Sequence, residues 1–355
     1  MMKRALIGAT ALLTGLAGGL PALAQTSPVS ARTAPAPAAP DARLARVLAD
    51  YEVFLRANDP ITAGFDGDRE ALSRLPDLSR AAELARRAPI QALLDRAEAI
   101  APARLNPADA RNRAFLLFLL SRDLEGIALD TGRLAFSSEG GFGQGAAYMA
   151  SSTRVASKAD AEAWLARLEG LPRLYDDTLA NARRGVATGM VQPASVVASA
   201  ILLARTDAAQ PLDGDALLKP FVELPSNISA TDQTALRDRA DSIVPRRQAW
   251  LAFLTEEAAP AAPEEPGLGL RPGGRDMYAY FVRGFTTTDL TPDQVHQIGV
   301  EEVARIRARM DTEMRAAGWT GDFAGFLAFL RTDPQFYATS REDLLEKASE
   351  MSKRA

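Results

Sequence analysis

Apolar side chains recur at helical spacing along most of this chain, and this periodicity constrains the fold more than any other feature. The first such segment shows the i, i+3, i+4, i+7 pattern of one helix face, formed by Leu44, Val47, Leu48, Tyr51, Phe54 and Leu55. Glycine-bounded runs of β-branched residues do not recur, and no internal repeat is visible. The sequence therefore predicts a mostly α-helical protein, built as a multi-helix array with few strands.

Capping residues, prolines and glycines mark the expected helix boundaries. The predicted helices are 44–58, 79–100 (either continuous or interrupted at Pro89), 107–130, a segment from Ser157, a new helix from Pro172 to Gly185 or Gly189, 193–204, and 232–257 with a kink or break at Pro245. Residues 136–152 contain the glycine-rich run 140–145 and little periodicity. This stretch is predicted to be a loop.

The N-terminus has the pattern of a secretory signal peptide. Lys3 and Arg4 precede an apolar stretch, and the cleavage site is the small-x-small tripeptide at 22–24. A membrane anchor is the alternative, but the stretch includes Pro21 and is of marginal length for spanning. We expect residues 1–24 to be removed on export to the periplasm or the medium, and the Pro- and Ala-rich residues 25–41 to form a disordered tether.

The composition excludes several classes of partner. The 355-residue chain carries a net charge of −4 with acids and bases interspersed, so no basic stripe indicates nucleic acid. The paired arginines at 86–87, 183–184 and 246–247 are typical of solvated helix faces. The chain has no cysteine, which excludes disulfides and lipid attachment at a cysteine. No later segment is apolar over a spanning length, so no membrane contact is expected after signal cleavage.

The chain is predicted to contain two helical parts. Residues 42–257 form the first, residues 258–274 are a linker rich in Pro, Glu and Gly, and residues 275–355 begin the second. In the second part, Thr291 and Gln294 form a predicted capping box that starts a long helix.

The last predicted helix, which begins at Ser340, lacks a partner in this sequence. Leu344, Leu345 and Met351 give it an apolar face that must pack against something. We therefore interpret the chain as truncated, with a missing C-terminal half or another protein surface covering this helix.

His296 is the sole histidine of the chain. A zinc-peptidase helix needs two histidines four residues apart with a glutamate between them, whereas here Gln297 follows and Val300 occupies the fourth position. The sequence thus provides no catalytic residues and no metal ligands, and we expect no cofactor in this chain. His296 is interpreted as a capping, packing or polar contact, or as a substrate contact in a complete protein.

Three other residues are candidate substrate contacts. Gly141 and Gly143 either belong to a flexible loop or expose bare backbone along a cleft; their spacing does not match the dinucleotide-binding motif. Arg283, followed by three threonines at 286–288, could hold the carboxylate of a peptide substrate. The alternative is an internal ion pair, with the threonines finishing a turn.

Several blocks of sequence carry a family resemblance. The most specific are T-T-T-D-L-T-P-D-Q-V-H-Q-I-G at 286–299 and L-R-T-D-P-Q-F-Y at 330–337, joined by R-L-P-D-L-S at 74–79 and G-V-A-T-G-M-V-Q-P at 185–193. With these blocks, residues 44–355 resemble a bacterial family known as domain of unknown function 885. The resemblance implies α-helical zinc peptidases of the gluzincin type, similar in architecture to angiotensin-converting enzyme. It also implies an HExxH-class motif C-terminal of the quoted blocks, with zinc expected only in a complete form.

Two hypotheses for the function follow. The resemblance implies the exported N-terminal portion of a zinc-metallopeptidase-like protein, which hydrolyses peptides when complete and is inactive as this chain. The alternative is a non-catalytic helical periplasmic binding or interaction protein. Such a protein could be a short relative that keeps the scaffold, or it could be unrelated to the family.

Overall fold

The computed structural model describes residues 40–221 and 229–354. Within these ranges the protein is helical, with no β-strand and one isolated bridge between Ser137 and Gly140. This confirms the prediction of a mostly α-helical, multi-helix array. The predicted signal peptide at 1–24 lies outside the described residues, as does all of the predicted tether except residues 40 and 41.

The α-helices are numbered here in chain order. They are α1 (Ala42–Asn58), α2 (Pro60–Phe65), α3 (Arg80–Ala85), α4 (Arg87–Glu98), α5 (Pro107–Leu129), α6 (Phe142–Ser152), α7 (Lys158–Ala187), α8 (Ala194–Ala208), α9 (Ala230–Asp241), α10 (Val244–Ala252), α11 (Ala259–Ala261), α12 (Gly274–Thr286), α13 (Pro292–Ala316), α14 (Phe323–Thr332) and α15 (Arg341–Arg354). Among the shorter turns, 3₁₀ helices span Glu70–Ser73, Thr131–Arg133 and Ala216–Phe221, and a π-helical turn spans Phe253–Ala258. The contacts divide the chain into two compact units, one ending at Tyr280 and the other beginning at Phe281.

Side-chain caps explain where several helices begin. The Asp41 carboxylate accepts hydrogen bonds from the backbone N–H groups of residues 43 and 44 at the start of α1. Asn106 accepts from the Asp109 N–H at 2.8 Å at the start of α5. The predicted capping box of α13 is confirmed, because the Gln294 N–H donates to Thr291 Oγ1 at 3.2 Å and the Thr291 N–H donates to Gln294 Oε1 at 2.8 Å.

Helix α7 is the central element of the first unit. Its buried residues contribute to two apolar clusters, one shared with α6, α9 and the Ala216–Phe221 turn, and one shared with α8 and α10. A third cluster is formed by α1, α4 and α5. Trp164 anchors the first cluster, since it is 1% exposed and its indole N–H donates to the Leu217 carbonyl at 3.2 Å.

The predicted helix restart at Pro172 is wrong, because α7 runs unbroken through this residue. An interior proline costs about 3 kcal/mol through its missing hydrogen bond and its ring clash. The side chains around it offset this cost, since Leu168, Leu171 and Leu174 are all fully buried. Tertiary packing therefore overrides the local signal.

The predicted loop at 136–152 is also wrong from residue 142 onward, where α6 begins. Its apolar face is formed by Ala146, Met149 and Ala150, which are 1%, 3% and 1% exposed. These residues pack into the same cluster as Trp164. Glycines at 143 and 145 obscure the helical pattern in the sequence.

The break predicted at Pro245 is confirmed. Helix α9 ends at Asp241 and α10 starts at Val244, with the proline in its first turn. In the stretch predicted as a linker, the buried Arg271 donates to three backbone carbonyls, those of Val191 at 3.0 Å, Gly267 at 3.1 Å and Glu265 at 3.0 Å.

The second unit has an aromatic cluster and extensive exposed apolar surface. Trp319 packs against Phe326 and Phe329, with ring centroids 5.8 and 5.1 Å away. By contrast, the exposed fractions of Val303 and Met351 are 69% and 73%. The prediction that the last helix needs a partner surface remains a prediction.

Within residues 40–221 and 229–354, no helix is both long enough and apolar enough to span a bilayer.

Candidate functional site at the start of helix α6

The chain enters α6 through a tight glycine turn. Ser137 and Gly140 exchange backbone hydrogen bonds of 2.9 and 3.1 Å. Gly140 has a φ of 109°, a conformation that favours glycine. The Gly141 N–H then donates to Gln144 Oε1 at 2.9 Å, which satisfies one of the backbone donors at the helix start.

The two predicted glycines are positions of close approach. A Cβ atom on Gly143 would lie 2.5 Å from Asp207 Oδ2 and 3.3 Å from the Tyr175 hydroxyl oxygen. A Cβ atom on Gly141 would lie 3.0 Å from Cζ2 of Trp250. These glycines therefore allow α6 to begin directly against side chains of α7, α8 and α10.

A buried group of charges lies beside Gly143. The Arg247 guanidinium donates to both carboxylate oxygens of Asp215, and its Nε lies 3.4 Å from Asp207 Oδ1. Asp215 also accepts from the Leu217 N–H at 2.9 Å. The side chains of Arg247 and Asp215 are 6% and 1% exposed, whereas that of Asp207 is 22% exposed. Asp207 is thus the member of this group that solvent can reach.

Burial changes the acid–base properties of this group. It raises the pKa of Asp207; the Arg247 charge opposes this effect and the Asp215 charge adds to it. Burial also raises the pKa of the Tyr175 hydroxyl, so this group stays neutral. Burial alone would lower the pKa of Arg247, but the hydrogen bond to Asp215 and the charge of Asp207 outweigh it and raise that pKa.

With both carboxylates ionised, the group carries one excess negative charge. The first turn of α6 lies against Asp207, and the N-terminal end of a helix is favourable for negative charge. A partly exposed carboxyl with a raised pKa is a feature common at functional sites. Asp207 is the carboxyl of this kind in the group.

The sequence interpretation missed these charged residues. Arg247 belongs to an arginine pair that we assigned to a solvated helix face, yet it is 5% exposed and ion-paired. Arg184 is a second correction, because it donates to both oxygens of Asp130 at 2.9 Å. No local sequence signal marks either residue, since their partners lie 32 and 54 positions away.

The other two predicted contacts belong to the second unit. Arg283 is half-buried in α12, and the threonines after it finish the helix: the Thr287 N–H donates to the Arg283 carbonyl at 2.9 Å, and the hydroxyls of Thr286 and Thr288 are 2.9 Å apart. His296 is the fifth residue of α13 and is exposed. Roles in substrate binding for these residues, and for Gly141 and Gly143, stay predictions.

The donor set does not fit zinc. The chain has one histidine and no cysteine. In the ranges 40–221 and 229–354, no three His, Cys, Asp or Glu side chains come together as possible metal ligands.

The sequence of this chain matches a known protein family. Residues 60–355 match the family described as "Bacterial protein of unknown function (DUF885)". The protein therefore belongs to this bacterial family, as the sequence blocks predicted.

A solved structure shares the fold. It is described as "The crystal structure of the putative lipoprotein from Colwellia psychrerythraea", and it superposes with a TM-score of 0.73 at 16% sequence identity. The match covers 88% of this chain and 57% of that protein, so this chain spans little more than half the length of its structural relative. At this identity the likeness shows the fold alone. No curated protein matches the chain.

Proposed function

We propose that this chain is the exported N-terminal portion of a zinc-metallopeptidase-like protein, which hydrolyses peptides in its complete form. Family membership over residues 60–355 supports the proposal, together with the resemblance to helical gluzincin peptidases that the sequence blocks imply. The longer structural relative supports it, since the shared fold occupies 57% of that protein.

The role of this chain within such a protein is to supply a wall of the substrate cleft. The residues present do not fit zinc, so no catalytic step is assigned to them. Gly141 and Gly143 are the candidate contacts of the first unit, and Arg283 and His296 are those of the second. The alternative is a helical binding or interaction protein without catalysis.

Export to the periplasm or the medium is part of the proposal. It rests on the signal-peptide pattern of residues 1–24 and on the cleavage tripeptide at 22–24. The name of the structural relative describes that protein as a lipoprotein, which is compatible with export in the family.

The decisive experiment isolates the protein from its own cells and measures its intact mass and zinc content on one sample. A product markedly heavier than 37.9 kDa, with about one zinc per chain, is the expected result. That sample should hydrolyse a mixture of unstructured peptides, and a chelator should abolish the activity.

A zinc-free product near 37.9 kDa less residues 1–24 would overturn the peptidase proposal. Peptide binding without hydrolysis by that product would then support the alternative. A product that retains residues 1–24 would contradict cleavage on export.

A further inference from the structure

A cavity lies within the first unit and shares no residue with the site at α6. Its volume is about 290 Å³, and its walls come from α1, the segment 76–78, α3, α4, α5 and Tyr280. This volume is sufficient for one small organic molecule, at the lower limit for binding sites of that kind.

The floor of the cavity is apolar and held in place. Ile90 and Ile127 are 2% and 6% exposed, and Phe54 lies beside them. Tyr280 is 8% exposed, and a Cβ atom on Gly126 would lie 2.7 Å from its hydroxyl oxygen, so the ring rests directly on the backbone of α5. An apolar side chain could fill this space without rearrangement of the floor.

Three of the four carboxylates around the cavity already have partners. Glu83 pairs with Arg80 at 2.6 Å, and Asp77 lies 3.4 Å from Arg173. Asp59 caps α2 by accepting from the N–H of residue 62 at 3.1 Å. These three groups are therefore not the primary contacts for a charged ligand.

Asp123, the fourth carboxylate, and Arg86 both line the cavity but do not form an ion pair with each other. Asp123 makes no hydrogen bond or ion pair with any other residue in the described ranges. Arg86 donates one N–H to the Asp77 carbonyl at 3.2 Å, and a guanidinium has further donors. Burial raises the pKa of Asp123, and the positive charges of Arg122 and Arg86 oppose this effect.

The Asp123 carboxylate and the Arg86 guanidinium lie above an apolar floor and form no ion pair with each other. A ligand that carries one positive and one negative charge would match them. We propose that this cavity binds a free α-amino acid with an apolar side chain. Its ammonium group contacts Asp123, its carboxylate contacts Arg86, and its side chain lies on Ile90 and Ile127. A simple amine or a simple acid would leave one of the two charges unmatched. This inference does not rest on peptide hydrolysis.

Isothermal titration calorimetry of the purified chain with four probes tests the ligand class. L-leucine should bind saturably, whereas leucinamide lacks the carboxylate, N-acetyl-leucine lacks the ammonium group, and glycine lacks the apolar side chain. Each of these three should bind about tenfold more weakly than L-leucine, or worse, because each loses one charged or apolar contact with the cavity. No saturable heat with L-leucine up to about 10 mM, or equal binding of leucinamide, would overturn the proposal.

Two variants with matched controls test the residues. Asp123→Asn and Arg86→Gln should each weaken L-leucine binding about tenfold. Arg87→Gln changes the neighbouring exposed arginine, and Asp241→Asn changes an exposed aspartate outside the cavity, so both should bind as the original chain does. Far-UV circular dichroism and thermal unfolding of all four variants check folding. Normal binding by Asp123→Asn would also refute the assignment, and this outcome does not depend on any peptidase assay.

Discussion

The Gly143→Ala substitution gives the sharpest test of the site at α6. Alanine is preferred over glycine inside a helix by about 1 kcal/mol, so local propensity alone predicts stabilisation. At this position, however, the new Cβ atom would lie 2.5 Å from Asp207 Oδ2, well inside contact distance. Asp207 has a short side chain fixed by Arg247 at 3.4 Å, so it cannot move away without loss.

The expected cost follows from these contacts. Overpacking of a well-packed region costs about 1–3 kcal/mol. Loss of the favourable position of a carboxylate at a helix N-terminus costs up to about 2 kcal/mol. After subtraction of the helix-propensity gain of about 1 kcal/mol, Gly143→Ala should destabilise the protein by up to about 4 kcal/mol.

The matched control lies two residues along the same helix. A Cβ atom on Gly145 meets nothing within 4 Å, so Gly145→Ala should stabilise the protein by about 0.5–1 kcal/mol. Urea unfolding measures both variants, and their free energies of unfolding should change in opposite directions. If Gly143→Ala stabilises the protein as Gly145→Ala does, the close approach to Asp207 is refuted.

A double substitution assigns the cost to its cause. In an Asp207→Ala background the carboxylate is absent, so Gly143→Ala should lose most of its penalty. The coupling between the two substitutions should therefore be about 1–3 kcal/mol. Coupling near zero would mean that the penalty comes from another neighbour of Gly143.

Two further predictions concern the charges. The pKa of Asp207 is raised in the folded state, so its contribution to stability is complete below the unfolded pKa and is lost as the pH rises through the folded value. Asp207→Asn should therefore gain stability relative to the original chain as the pH rises above about 4, the pKa of an unfolded aspartate, in urea unfolding; a constant difference would contradict the raised pKa. Arg271→Ala leaves the carbonyls of Val191, Gly267 and Glu265 without their donor, so limited proteolysis should cleave within 258–274 faster than in the original chain, whereas equal rates would show that Arg271 does not hold this stretch.

The sequence predicted the helical architecture well because its signals are local. The capping box at Thr291 and Gln294, the Asn106 cap and the break at Pro245 each depend on residues within one turn of each other. Caps and prolines act on the backbone within one helical turn, so the local sequence is sufficient to predict them. The family blocks likewise led to the family that the comparison confirms.

The two wrong helix predictions have one cause. Pro172 in α7 and the glycines in α6 both disfavour a helix locally, and in both places buried side chains outweigh that preference. Propensity differences are near 1 kcal/mol for glycine and 3 kcal/mol for proline, whereas full burial of one leucine contributes about 1.5–3 kcal/mol. Several buried residues per turn therefore decide the outcome, and their partners are distant in sequence.

The charges around Arg247 were missed for a related reason. An arginine pair on an amphipathic helix has the same local pattern whether it faces solvent or a buried carboxylate. Asp207 and Asp215 lie 40 and 32 residues before Arg247 in the sequence, and only folding brings the three side chains together. Their identification needed the three-dimensional structure.

The structure shows which glycine of α6 is accessible to a ligand. Gly143 is buried and lacks the Cβ atom that would clash with Asp207 and crowd Tyr175. Gly145 is exposed and has open space where a Cβ atom would lie, so it is the glycine whose backbone a ligand can approach. If a peptide binds along this helix, Gly145→Ala should weaken binding while stabilising the fold. An increase in stability with unchanged peptide affinity would instead show that the backbone at Gly145 does not contact the peptide.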